Sequence, residues 1–251
     1  MCTVVFIPTK DKIYFGSLRD ENPKRPNAYQ PQLFSTKHFS YITPKDALAN
    51  GTWVGVNNWG NVIVLLNGGF EQHLRKSHYR QSRGLFVTTL LASESPVLAW
   101  SLIDLNDIEP FTLVVWSDGN LFELVWDGNE KHRRRLDETQ SHIWSSSTLY
   151  NAENKIIRKD AFQNWMFKHP PISKISLLNF FKSFTNKEHG FIMNRNEKIK
   201  TLSFTFIELN PHIEAIMSYY DFLTNSNSEQ SLPLEMEKSE CFISNVFSIK
   251  E

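Results

Sequence analysis

The chain has 251 residues, 41% of them hydrophobic, which suffices to bury a sizeable core in one domain. Lysine plus arginine equals aspartate plus glutamate at 27 each, so no global field draws it to nucleic acid or an anionic membrane. Its two cysteines, Cys2 and Cys241, are too few for a disulfide framework and lack paired zinc spacing.

Met1-Cys2-Thr3 opens directly into the apolar run Val4-Val5-Phe6-Ile7. No positively charged segment precedes this run, and Pro8 with Lys10-Asp11-Lys12 ends it, so no secretory leader is expected. No stretch approaches the roughly 18 apolar residues of a membrane span, and a soluble, reducing, cytoplasmic setting follows. Trimming of Met1 would leave Cys2 with a thiol (reference pKa about 8.5) and a free α-amine (about 7.7–8.0). One residue would then hold both nucleophile and base. A lone cysteine is, equally, a small core hydrophobe.

The strands Thr3–Ile7 and Ile13–Leu18 flank the polar turn Pro8–Lys12 and form a hairpin. Arg19–Gln32 reads as a loop, with Pro23, Pro26 and Pro31 opposing regular structure. Within it, Arg19 can favour a thiolate at Cys2, and Asp20 can hold an ammonium; the same charges also suit a solvated loop. Thr52–Val56 and Val62–Leu66 form a hairpin across Asn57-Asn58-Trp59-Gly60-Asn61. Asn67, where that strand meets Gly68-Gly69, can donate to an oxyanion; Asn57 and Asn67 serve turns equally well.

Leu85–Ala92 reads as a helix and Ser95-Pro96 opens another. Phe111–Trp116 and Leu121–Trp126 form a hairpin, and the basic run Lys131–Arg135 reads as a solvated edge, with a grip on phosphate as the alternative. His142–Ser146 is a further strand, and Ala152–Lys168 and Ser173–Phe184 are helices. Asn151 precedes the first of them as ligand contact or plain N-cap. Thr201–Leu209 and His212–Asp221 form a late hairpin, and the polar tail after Leu223 reads as mobile. The eight histidines show no metal spacing and there is no phosphate loop, so neither metal nor cofactor is expected. The order of elements suits an α+β, four-layer αββα sandwich over residues 1–225, with 226–251 as a loosely packed tail.

Met1-Cys2-Thr3, the run Arg19–Pro26, Gly51-Thr52-Trp53-Val54-Gly55, Ser82-Arg83-Gly84-Leu85 and Trp144–Asn151 together resemble the NRDE family, also called the Transport and Golgi organisation protein 2 family. Met1–Thr3, Tyr14-Phe15-Gly16 and Gly55–Asn57 through Asn67 also resemble bile-salt hydrolases and penicillin V acylases. The resemblance implies the N-terminal nucleophile hydrolase fold and hydrolysis of an amide or thioester. It implies Cys2 as nucleophile with its α-amine as base, Asp20 orienting that amine and Asn67 as an oxyanion or substrate amide donor; Arg19 and Ser146 complete the expected catalytic set, and Asn57, Arg83 and Asn151 are expected to bind substrate. Three departures stand out. Leu18 occupies the asparagine of the name motif, Ser17 the position of the bile-salt hydrolases' active-site arginine, and Ser146 that of an oxyanion-hole asparagine. A non-catalytic carrier of haem, acyl-coenzyme A or a lipid-like ligand is the alternative that the resemblance implies.

Overall fold

A computed structural model gives the structure of residues 2–186 and 190–235, the Cys2 side chain excepted. The elements begin with β1 (Cys2–Pro8), β2 (Ile13–Glu21), β3 (Tyr29–Ser35), β4 (Ser40–Lys45), β5 (Val54–Asn57) and β6 (Val62–Asn67). Two helices follow, α1 (Arg83–Leu91) and α2 (Pro96–Leu102), then β7 (Phe111–Ser117), β8 (Asn120–Trp126), β9 (Lys131–Leu136) and β10 (His142–Ser145). Helices α3 (Ala152–Phe167) and α4 (Lys174–Ser183) lead to β11 (Asn194–Arg195), β12 (Ile199–Asn210), β13 (Glu214–Asp221) and β14 (Ser226–Pro233).

The strands form two antiparallel sheets. One runs β10-β1-β2-β12-β13-β14, with β11 against β12; the other runs β3 to β9 in chain order. Strand alternation splits the apolar residues between two cores. Val4, Phe6, Ile13 and Phe15 meet the second sheet, whose residues also pack with Phe86, Val87, Leu90 and Leu91 of α1. Val5, Ile7, Tyr14 and Leu18 instead pack under Phe162 of α3 and Leu177, Phe180 and Phe181 of α4. Helices thus cover the outer face of each sheet, which gives the expected α+β, four-layer αββα sandwich. Burial of both faces of β1 and β2 explains why they read as continuous apolar runs.

Three segments depart from the pattern reading. Arg19–Glu21 belongs to β2 rather than to a loop, because β1 and β12 pair with it from both sides. Pro31 lies inside β3, on the sheet's edge and at an irregularity between Tyr29 and Gln32, where its missing N–H costs no ladder bond. Residues 226–233, expected within a mobile tail, form β14. Each of its residues pairs with β13, Leu232 enters the core, and Gln30 Nε2 donates to Ser226 Oγ at 3.1 Å. The strand is polar because it is an edge. The remainder of that tail, 236–251, lies outside the described residues.

Two glycines bring α1 against the β4–β5 connection. Thr52 N donates to Gly84 O at 3.1 Å. A Cβ on Gly84 would stand 2.7 Å from Thr52 O, and one on Gly51 would stand 2.5 Å from Gly84 C. Backbone meets backbone here, so there is no side chain that can yield. Gly84→Ala is therefore expected to cost roughly 1–3 kcal/mol, read as a lower urea midpoint at unchanged slope. An unchanged midpoint would show that the contact is not close.

Candidate functional site

The site is built where β2 runs between β1 and β12. Cys2 pairs with Arg19 across β1 and β2, and on β12 Ser203 stands opposite Arg19 while Thr201 stands opposite Asp20. Leu202 is the extra residue of a bulge between those two partners. Successive strand residues point to opposite faces, so Arg19 and Asp20 serve two different environments.

Asp20 is fully buried. Met193 N donates to Thr201 Oγ1 at 2.9 Å, and that hydroxyl in turn donates to Asp20 Oδ1 at 2.7 Å. Asp20 Oδ2 has no partner among the described residues. Burial pushes this carboxyl up to about 6, although the Thr201 hydrogen bond and the charges of Arg158 and Arg195 pull the other way. Arg158, on α3, is itself fully buried. It lies over the rings of Tyr150 at 4.0 Å and Phe191 at 4.3 Å, and donates to Ser145 Oγ at 2.8 Å, Gly190 O at 2.7 Å and the Thr3 hydroxyl. It ties α3 to β1 one residue after Cys2.

Arg19 lines a cavity of about 690 Å³, together with Trp53, Leu65, Asn67, Arg83 and Thr148. Its guanidinium lies 4.6 Å from the Trp53 ring centroid and donates to Asp46 Oδ2 at 2.7 Å. Arg25 grips the same carboxylate with two bonds of 2.8 Å. Burial alone would raise the Asp46 carboxyl, but the Arg25 fork, the Ala49 N–H and the Arg19 charge hold it at about 2.

The other anticipated residues fall into two groups. Asn67 and Arg83 line the cavity with Arg19. Ser146 is buried beside them, but its hydroxyl donates to Asn67 O at 2.7 Å and meets Thr148 Oγ1 at 2.9 Å, so it anchors the end of β6. Asn57 and Asn151 lie elsewhere. The Asn57 amide donates to Leu91 O and Ser93 O and accepts from Asn61 N, clasping the end of α1 to the β5–β6 turn. Asn151 caps α3, accepting from Asn154 N at 2.8 Å, and lines a separate cavity with Tyr150 and Arg195. Pattern reading missed Asp46, Arg158 and Thr201. Only Arg25, inside the run Arg19–Pro26, carried a signal. Among the described residues no group of His, Cys, Asp or Glu is placed to hold a metal.

This architecture is that of the N-terminal nucleophile hydrolases. A Caenorhabditis elegans N-acylethanolamine-hydrolyzing acid amidase ortholog superposes with a TM-score of 0.57 at 14% identity, over 84% of this chain and 93% of that one. A mutant conjugated bile acid hydrolase from Clostridium perfringens superposes at 0.60 and 13% identity, over 95% of this chain and 94% of that one. A second variant of that enzyme gives 0.60 at 12% identity, over 97% and 100%. Identities this low establish the fold alone. The family model described as Transport and Golgi organisation 2 matches residues 1–231, and the chain belongs to that family. A search of curated proteins finds no match. No helix among the described residues is long and apolar enough to cross a membrane.

The Asp20 environment predicts a pH dependence of stability. Its carboxyl keeps a proton in the folded state up to about pH 6, whereas the unfolded chain releases it near 3.8. Its contribution is therefore present below about pH 4 and lost as pH rises through about 6. Compared with Asp20→Asn, the wild type should lose up to about 3 kcal/mol of relative stability over that window, measured by urea denaturation at several pH values. A difference that stays flat over the window would contradict the assignment.

Proposed function

We propose that the chain hydrolyses a carbon–nitrogen (amide) or thioester bond, with Cys2 as nucleophile once Met1 is removed. The observation that carries this reading is Asp20: a buried carboxyl with one oxygen that has no partner among the described residues, on the residue after the cross-strand partner of Cys2. An N-terminal ammonium is the donor that such an oxygen suits, and holding it there keeps the amine beside its own thiol.

The reaction runs in two halves. The α-amine takes the thiol proton, Sγ attacks the substrate carbonyl carbon, and the side-chain amide of Asn67 donates to the oxyanion. The amine then delivers its proton to the leaving amine or thiol, and an acyl-enzyme forms. Water, deprotonated by the same amine, attacks the acyl carbon, releasing the acid and restoring the thiol. Arg19 is the one cation of β2 and lines this cavity. A reducing cytoplasmic setting suits a thiol held in this state.

One observation favours a second reading, a non-catalytic carrier of haem, acyl-coenzyme A or another lipid-like ligand. Ser146 gives its hydroxyl to the Asn67 carbonyl, which leaves the oxyanion without the second side-chain donor of related hydrolases. Losing one such donor costs about 10²–10³ in rate.

The test is turnover of a panel of acyl amides and acyl thioesters. Cys2→Ala should abolish hydrolysis, and Asn67→Ala should lower kcat by about 10²–10³ with a smaller change in KM. Undiminished turnover in Cys2→Ala would overturn Cys2 as nucleophile, and stoichiometric haem or acyl-coenzyme A binding with no turnover on any member of the panel would favour the carrier.

A further inference from the structure

The cavity beside β2 carries more positive charge than its own carboxylates neutralise. Asp46 is shared by Arg19 and Arg25, and Glu109 by Arg83 at 3.1 Å and Arg75 at 3.6 Å. Each cluster holds two guanidiniums on one carboxylate, and with Glu21, which also lines the cavity, the four arginines face three carboxylates. All seven side chains line the same cavity. Burial pushes the Arg83 guanidinium below its ordinary value, with Glu109 opposing that shift. A nearby anion would offset the cost of burying these charges.

Three further features point the same way. Trp53 is 5% exposed and lines the cavity, and its buried indole N–H meets no acceptor among the described residues. His73, also in the wall, has neither ring nitrogen in a hydrogen bond among the described residues, although Nε2 lies 3.5 Å from Glu109 Oε1. Helix α1 begins here as well: Ser82, Arg83 and Gly84 line the cavity, and the Ser82 side chain makes no capping bond. The positive end of the α1 dipole is therefore directed at this space. Leu48, which is largely exposed, and the buried Leu65 add apolar wall.

We propose that this cavity binds a compact anionic group, a carboxylate, sulfonate or phosphate, among Arg19, Arg25, Arg83 and the Trp53 N–H, and that the molecule bearing it is an amphiphile whose apolar part lies along Leu48 and Leu65. That this amphiphile is the substrate rests on the reading of Cys2 as nucleophile; the binding itself does not. A hydrolysable substrate would then be an anionic acyl amide or thioester rather than a neutral one.

Calorimetric titration of the full chain carrying Cys2→Ala separates the two claims, because no turnover is needed. The probes are octanoate, octyl phosphate and the neutral octanamide. Both anions should bind at least tenfold more tightly than octanamide, and the gap should narrow at high salt. Which anion binds better tells a carboxylate site from a phosphate site. Trp53→Phe keeps an aromatic ring beside Arg19 but removes the N–H along with the five-membered ring, so it should weaken the anions about tenfold and octanamide far less. Arg25→Gln, whose loss leaves Asp46 paired to Arg19, should do the same. Equal binding of amide and anions, or anion affinity unmoved by both substitutions, would overturn the proposal. Wild-type protein that hydrolyses nothing while these affinities hold would sink the hydrolase reading and leave the anion site standing.

Discussion

The site depends on the register of β2 between β1 and β12. Residues 19 and 20 are adjacent, yet one reaches the inter-sheet cavity and the other the helix-covered side of the sheet. The bulge at Leu202 makes that arrangement possible. Without the extra residue, β12 would present the wrong face to one of the two, and either Thr201 would miss Asp20 or Ser203 would miss Arg19. Cys2 needs no device of its own, since pairing with Arg19 places its backbone at the same end of the sheet.

That placement carries an energetic cost. Asp20 and Arg158 are both fully buried, and Arg19 and Asp46 nearly so. Buried charges of this kind rarely stabilise a fold relative to apolar packing, whereas removing one partner of a buried pair is severe. Two aromatic–aliphatic cores, each covered by a pair of helices, supply the excess stability on which such groups rely. The same burial sets the chemistry. It raises the Asp20 carboxyl to about 6 while Asp46, gripped by two arginines, is held at about 2, so the two faces of β2 hold carboxyls of different proton affinity.

Much of the scaffold was legible in the sequence because period-two alternation and Asn/Gly turns report local chemistry. The hairpins β1–β2, β5–β6 and β7–β8 and the helix α3 follow from such signals. What escaped was determined by distant partners. Arg19–Glu21 looks like a loop until a strand 180 residues away pairs with it, and Ser226–Pro233 has a tail's composition because only one of its faces meets protein. Within the site, Cys2, Asp20, Arg19 and Asn67 stood out through their position at strand ends and their resemblance to the family. Asp46 and Arg158 have no motif; an aspartate after Pro44-Lys45 and an arginine in a charged helix acquire meaning only through what they touch. Asn57 and Asn151 had two readings each, and the structure gives both of them hydrogen bonds that serve a turn and a cap.

The most direct measurement is intact and peptide mass spectrometry of the native protein treated briefly with a thiol-alkylating reagent, alongside Asp20→Asn. The expected result is a chain lacking Met1 whose first residue is alkylated far faster than Cys241, with the advantage reduced in the Asp20 variant. Retained Met1 on otherwise native protein, or equal labelling of the two cysteines in wild type and variant alike, would contradict a nucleophile activated by its own amine and this buried carboxyl.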